Sequence, residues 1–240
     1  MTLLEVSGVT KRFGGLVAVA SADMYVDEGE IVGLIGPNGA GKTTLFNLIS
    51  GFLVPDEGGI VFDGKGIIGT PPHSICHRGM SRTFQIVKPF PEMSVLDNVM
   101  MGAFRTSPKS KIAREKAMGV LERLEFADWA HRRAGDLPVA GRKRLEIAKV
   151  LATDPKLVLL DEVMAGLTPS EHNRMIETVQ LIRESGVTIV IIEHVMPVIM
   201  NLSDRVYVLH HGQVIASGKP GTIAKNPIVI DAYLGEEMAL

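Results

Sequence analysis

Eight residues, Gly36-Pro37-Asn38-Gly39-Ala40-Gly41-Lys42-Thr43, follow directly on the apolar run Ile31–Ile35 and lead into a helical run, Thr44–Ile49. The spacing G-x-x-x-x-G-K-[ST], set between a strand and a helix, is the pattern of a loop that cradles phosphates. Its glycines let the backbone curl until successive N–H groups face one anion, and the helix start adds its partial positive charge. Lys42 is expected to reach the outer phosphates of a nucleotide, and the Thr43 hydroxyl to ligate Mg²⁺. By itself the loop leaves kinases, GTPases and transport ATPases open.

Four β-rich runs organise the chain: Ile31–Ile35, Leu157–Leu160, Thr188–Ile192 and Val206–Leu209. Those at 157–160 and 188–192 are continuously aliphatic, as strands covered on both faces are. Between them Met175, Ile176, Val179 and Ile182 recur at helical spacing within Ser170–Glu184. A strand–helix–strand crossover predicts a parallel sheet with flanking helices. The first 30 residues and Gly59–Asp63 show alternation and turn signals such as Asp27-Glu28-Gly29, which predict a small antiparallel sheet. From about 90 to 150 the chain has helical runs, Lys111–Phe126 among them, and no strand-like one. It is read as a helical lobe inserted into the core.

Composition narrows the partners. A net charge of −2 and a pI near 6.4 give no sign of broad nucleic-acid binding. The single cysteine, Cys76, excludes an internal disulfide framework and fits a reducing compartment. Lys11 and Arg12 interrupt the N-terminal segment before any long apolar run, so it does not read as a signal peptide. No stretch reaches about 18 uncharged apolar residues, the length needed to span a bilayer, so a membrane role is expected to be peripheral.

A second constellation adds chemistry. The run Leu157-Val158-Leu159-Leu160 ends in Asp161-Glu162. An aspartate at such a strand end suits Mg²⁺, and the adjacent Glu162 is placed to take a proton from an attacking water. The strand 188–192 likewise ends in Glu193-His194. Parallel strands deliver their C-termini to one edge, where ligands bind, so His194 is expected near Glu162 and the terminal phosphate.

Along its whole length the chain resembles the nucleotide-binding subunits of ABC transporters. GPNGAGKTT is similar to their Walker A motif, LVLLDE to Walker B with its glutamate, and His194 in IIEHVM to the switch histidine. Gln85, in Ser81-Arg82-Thr83-Phe84-Gln85, matches the glutamine that senses Mg²⁺. Phe13 sits where the family places an aromatic that stacks on adenine. The wording SRTFQIVKPFPEMSVLDNVMMG, RLEIAKVLATDPKLVLLDE and DAYLGEE resembles the branched-chain amino acid importer (LivG-like) branch. Relatives serving urea or amide uptake or lipopolysaccharide export share much of it.

The resemblance implies an α/β fold with a P-loop NTPase core. That core would carry a mixed or parallel sheet with an antiparallel β subdomain (1–88 and 152–240), and a helical subdomain would occupy about 89–151. It implies ATP and Mg²⁺, with Gly36 to Thr44 around the phosphates and Thr43, Gln85 and Asp161 toward the metal. Glu162, His194 and Lys42 would act on the reaction. Implied partners are transmembrane permease subunits, a second ATPase subunit closing head to tail, and a periplasmic solute-binding protein indirectly. The implied location is the cytoplasmic face of the bacterial inner membrane, with Ile86–Met101 as the contact with permeases.

Three positions depart from the family pattern. Leu137-Pro138-Val139-Ala140-Gly141 stands where the signature Leu-Ser-Gly-Gly-Gln clamps the partner's γ-phosphate, with a helix expected from about Arg142. Val163 stands where proline is usual, and Thr168 replaces an aspartate or asparagine. A slow ATPase when alone, or a subunit completed by a different partner, is the expected consequence. The rival classes are a repair or translation ATPase of the same family, a binding-only regulatory subunit, and a small-molecule kinase.

Overall fold

The computed structural model describes residues 1–84 and 89–237, the last four of these for backbone only. They form two compact units, Met1–Ile75 with Thr188–Leu240, and Cys76–Val187. In chain order the strands are β1 (Thr2–Phe13), β2 (Leu16–Asp27), β3 (Ile31–Ile35), β4 (Glu57–Phe62), β5 (Lys65–Gly66), β6 (Met80–Arg82), β7 (Leu157–Asp161), β8 (Thr188–Ile192), β9 (Arg205–His210) and β10 (Gln213–Gly218). The helices are α1 (Lys42–Ile49), α2 (Pro72–Arg78), α3 (Val95–Ala103), α4 (Ser110–Arg123), α5 (Val139–Ala152), α6 (Pro169–Glu184), α7 (Met196–Leu202), α8 (Pro220–Ile223) and α9 (Pro227–Glu237).

The first unit holds an antiparallel sheet in the order β2-β1-β4-β5. Gly14 and Gly15 close the β1–β2 hairpin between the paired residues Phe13 and Leu16. Alternation along β2 buries Ala22, Met24 and Val26, the expected signature of a half-covered sheet, while an irregularity at Ser21, φ 48°, breaks the period before the buried Val19. Beside it, β3 pairs in parallel with β8 (Leu34 opposite Ile192) and with β9 (Leu34 opposite Tyr207), while β10 returns antiparallel to β9. Every residue of β3 and β8 is buried, which is why both read as apolar runs without alternation, β3 interrupted only by Gly33. Each such side chain contributes about 1.5–3 kcal/mol by leaving water.

In the second unit β6 and β7 pair in parallel, Arg82 opposite Leu159. Helices α3, α4 and α5 pack on one another. Their buried faces carry Leu96, Val99 and Ala103, then Ala113, Ala117 and Leu121, then Ile147, Ala148 and Leu151. Helix α4 ends at Arg123 rather than continuing to 126 because Glu125 takes a left-handed conformation, φ 51°. That residue turns the chain out of the helix as a C-terminal cap does, and Ala127–Trp129 follow as a 3-10 turn. Helix α5 begins at Val139, three residues earlier than the sequence indicates. Among the described residues no helix is long and apolar enough to cross a membrane.

Candidate active site

In the first unit the phosphate-type loop leaves β3 at Ile35 and enters α1 at Lys42. Gly36 has φ 150°, and a Cβ there would lie 2.0 Å from the Leu209 carbonyl oxygen of β9. Gly41, the N-cap of α1, has φ 104° and would place a Cβ 2.3 Å from the Ala18 carbonyl of β2. Only glycine satisfies both the torsion and the space. The loop is braced further by the β9–β10 turn: Gly212 N–H donates to the Ala40 carbonyl at 2.9 Å, and the Gly212 carbonyl accepts from Ala20 N–H at 2.8 Å. Ala40 N–H donates to Pro37 O at 3.2 Å. Asn38 and Gly39 face outward, exposed.

Lys42 is 6% exposed, and its Nζ donates to the carbonyls of Gly36 and Pro37, both at 2.7 Å. The ammonium is thus folded inside the curl that its own loop makes. No side chain caps the start of α1 and its first turn carries no acid, so its positive end is not neutralised locally. Thr43 is exposed and Thr44 half-buried on that turn. Phe13 is 47% exposed at the hairpin tip, with Lys11 Nζ 5.7 Å from its ring centre. His194 is exposed two residues beyond β8 and follows the buried Glu193. Parallel pairing of β3 with β8 brings His194 out at the same sheet edge as Gly36.

In the second unit Asp161 closes β7 and is 3% exposed. Its Oδ2 accepts from Arg82 Nη2 at 2.7 Å, and its N–H donates to Thr83 Oγ1 at 3.1 Å. Glu162 follows in the left-handed region at φ 49°, a conformation that costs a non-glycine residue on the order of 1 kcal/mol. Its carbonyl accepts from Lys143 Nζ at 2.7 Å and from Ala165 N–H at 3.3 Å. Lys143 is only 8% exposed, so this bond is made out of water. Sequence reasoning assigned nothing to Arg82, although it lies inside a quoted motif, or to Lys143, which lies between Arg142 and Arg144. Neither position carries a local signal that sets it apart from a solvated charge.

The donor chemistry fits Mg²⁺. Among the described residues no group of three or more His, Cys, Asp and Glu gathers to hold a metal ion. Asp161 is instead a lone hard-oxygen donor. Mg²⁺ takes one or two carboxylates and fills its octahedron with phosphates and water. Gln85 lies outside the described residues, as do Ile86, Val87 and Lys88.

The stretch 137–141 opens α5. Pro138 is the N-cap, with no side-chain cap bond, and its carbonyl accepts from Arg142 N–H at 3.0 Å. Val139, Ala140 and Gly141 therefore form the first turn, whose N–H groups have no intrahelical acceptors. Arg142 Nε donates to the Leu137 carbonyl at 2.8 Å. Two departures from the family pattern gain local reasons. Val163 is 4% exposed and joins the core. Thr168 is the N-cap of α6, where its N–H and hydroxyl both donate to Glu171 Oε2 at 2.8 Å, with Pro169 at the first helical position.

The model of the family "ABC transporter" matches residues 19–165, and that of "Branched-chain amino acid ATP-binding cassette transporter" matches 213–239. The chain is 42% identical over 252 residues to the high-affinity branched-chain amino acid transport ATP-binding protein BraF of Pseudomonas aeruginosa, covering 98% of both chains. With LivG of Escherichia coli K12, of the same description, identity is 40% over 251 residues, again covering 98% of both. A solved ADP-bound ATP-binding cassette of an ABC transporter superposes with a TM-score of 0.89 at 33% identity, covering 98% of this chain and 99% of that one.

Proposed function

The chain belongs to the ABC transporter family, and from that premise we propose that it is the ATP-binding and ATP-hydrolysing subunit of an importer for branched-chain amino acids. The observation that carries the reading is the glycine-pinned curl at 36–41 around Lys42. It is supported by near-complete coverage of relatives named for that transport.

In this reading Phe13 stacks on adenine, an arrangement its exposed ring permits. Gly36, Asn38, Gly39, Ala40, Gly41, Thr43 and Thr44 wrap the phosphates with main-chain N–H groups, and Pro37, which has no N–H, shapes the turn between them. Lys42 exchanges the Gly36 and Pro37 carbonyls for phosphate oxygens, and its charge stabilises the γ-phosphoryl as it leaves. Mg²⁺, held through Thr43, Gln85 and Asp161, would neutralise charge between the outer phosphates. Glu162 accepts the proton of the attacking water, and His194 holds the γ-phosphate or that water.

Residues 1–88 and 152–240 act as the catalytic core and 89–151 as the helical subdomain. Two such subunits close head to tail with 137–141 of each facing the other's nucleotide. Ile86–Met101 relays closure to permeases at the cytoplasmic face of the bacterial inner membrane, and a periplasmic solute-binding protein delivers the amino acid.

The test combines two assays. Glu162→Gln should bind ATP as the wild type does while hydrolysis falls by roughly 10²–10⁴, whereas Lys42→Ala should weaken binding itself. Leucine uptake by vesicles holding the cognate permeases should require this chain and fail with Glu162→Gln. Unimpaired hydrolysis in Glu162→Gln, or uptake indifferent to the chain, would sink the reading.

A further inference from the structure

Asp161 ends a strand whose five residues are all buried, and its side chain is 2% exposed. A charged group so far from water is costly to bury without a countercharge. Arg82, itself 7% exposed, supplies one at 2.7 Å. Neighbouring atoms of the same short segment hold the backbone of Asp161. Arg82 pairs opposite Leu159 in the parallel ladder, and Thr83 N–H donates to the Leu159 carbonyl at 3.0 Å. Thr83 Oγ1 receives the Asp161 N–H at 3.1 Å. Main chain and carboxylate of Asp161 are therefore fixed by consecutive residues, three and two positions before Gln85. A buried ion pair adds little net stability over an apolar pair of the same volume. What this one does supply is a fixed orientation for the carboxylate.

We propose that Arg82 is a positioning residue for the metal end of the nucleotide site: it orients the Asp161 carboxylate for the divalent cation that accompanies ATP. This rests on the reading of Asp161 as a metal ligand. Groups that orient a metal's carboxylate ligands alter affinity for the metal far more than affinity for the rest of the ligand. Arg82 should thus govern metal capture and leave metal-free nucleotide binding alone. Arg82→Lys keeps the charge but not the planar fork, so it should restore part of the effect.

The experiment titrates Mn²⁺ into protein saturated with mant-ATP and follows bound Mn²⁺ by electron paramagnetic resonance. Binding of mant-ATP in EDTA is measured in parallel. In Arg82→Met the Mn²⁺ midpoint should rise roughly ten- to a hundredfold, with mant-ATP affinity in EDTA within about twofold of wild type. Arg82→Lys should fall between. Because Arg82→Met leaves Asp161 without that countercharge and can impair folding, the double variant Arg82→Met/Asp161→Asn is measured as well. It should match Asp161→Asn alone in Mn²⁺ midpoint, since Arg82 acts only through that carboxylate. An unchanged midpoint in folded Arg82→Met overturns the proposal. So does a tighter midpoint, which would mark Arg82 as a competing cation, and so does a full Arg82→Met effect on top of Asp161→Asn. If Asp161→Asn itself leaves the wild-type Mn²⁺ midpoint unmoved, the reading of Asp161 as ligand fails instead.

Discussion

Glu162 carries two constraints, the left-handed torsion of its backbone and the buried ammonium of Lys143 on its carbonyl. The torsion directs the chain out of β7 at the residue assigned to the proton. The Lys143 bond fixes that turn from helix α5, the helix that opens with 137–141. Lys143→Met preserves the length and apolar stem of the side chain but removes the donor. A bond made by a charged group and hidden from water is worth on the order of 1.5–3 kcal/mol. Urea unfolding should show a loss of about that size, and ATP turnover should drop with little change in KM. Lys143→Arg should keep most of both. A Lys143→Met protein with wild-type stability and turnover would show that the turn holds itself.

Among the elements, α3 depends on Asn98, a side chain with no exposed surface. Its Oδ1 accepts from Phe90 N–H at 2.8 Å, and its Nδ2 donates to the carbonyls of Phe90 and Ser94 at 3.0 and 2.9 Å. One amide thus fastens the segment leading into α3 to the helix itself. Asn98→Leu fits the volume but removes all three bonds: the Phe90 and Ser94 carbonyls keep the N–H groups of Met93 and Asn98, whereas Phe90 N–H loses its acceptor, at about 1–3 kcal/mol if it stays buried. The expected result is faster hydrogen exchange at residues 89–95, with the rest of the second unit less affected.

Helix α6 offers a pH-dependent counterpart. The Thr168 N–H and then its hydroxyl, donating to Glu171, hold that carboxyl below its ordinary value of 4.5. A depressed folded-state value means that the cap stabilises the fold fully above pH 4.5. The contribution is lost as pH falls through the lowered folded value. The gap in urea midpoint between wild type and Glu171→Gln should accordingly be open at pH 7 and close on acidification below about 4.5. A gap that stayed constant with pH would remove the carboxylate from the explanation.

For the molecule as a whole, the position to probe is Pro138, at the opening of α5. Proline at the N-cap of α5 offers no side-chain acceptor to the first turn and no hydroxyl to a partner's nucleotide. Pro138→Ser should supply both. The N-cap gain, about 1 kcal/mol, is read in thermal unfolding without nucleotide. The second effect is read as faster ATP turnover at concentrations where two subunits meet. Stabilisation without faster turnover would confine the serine to its helix and leave the slow-subunit expectation without support.

What the sequence determined by itself is what local spacing encodes. The loop at 36–43 was legible because its chemistry needs particular residues at fixed separations along the chain. The strands β3 and β8 were legible residue for residue because burial on both faces demands apolar runs without polar alternation. The α6 crossover followed from a helical period that solvent exposure imposes. Short or half-exposed elements escaped: β6 has three residues, and β10 pairs on one side only, so neither develops a period. The start of α5 was misplaced because Pro138 reads as a break whereas it serves as the cap.

Tertiary structure alone decided who neighbours Asp161 and Glu162. Arg82 meets Asp161 across 79 positions, and Lys143 meets Glu162 across 19. Gly36 is obligatory because of a carbonyl on Leu209, in another strand. No pattern of residue types reports such pairs, since a charged residue looks the same in the sequence whether it is solvated or fixed by a partner. Burial turns those charges into determinants. A group removed from water must take the one partner that the fold brings within reach.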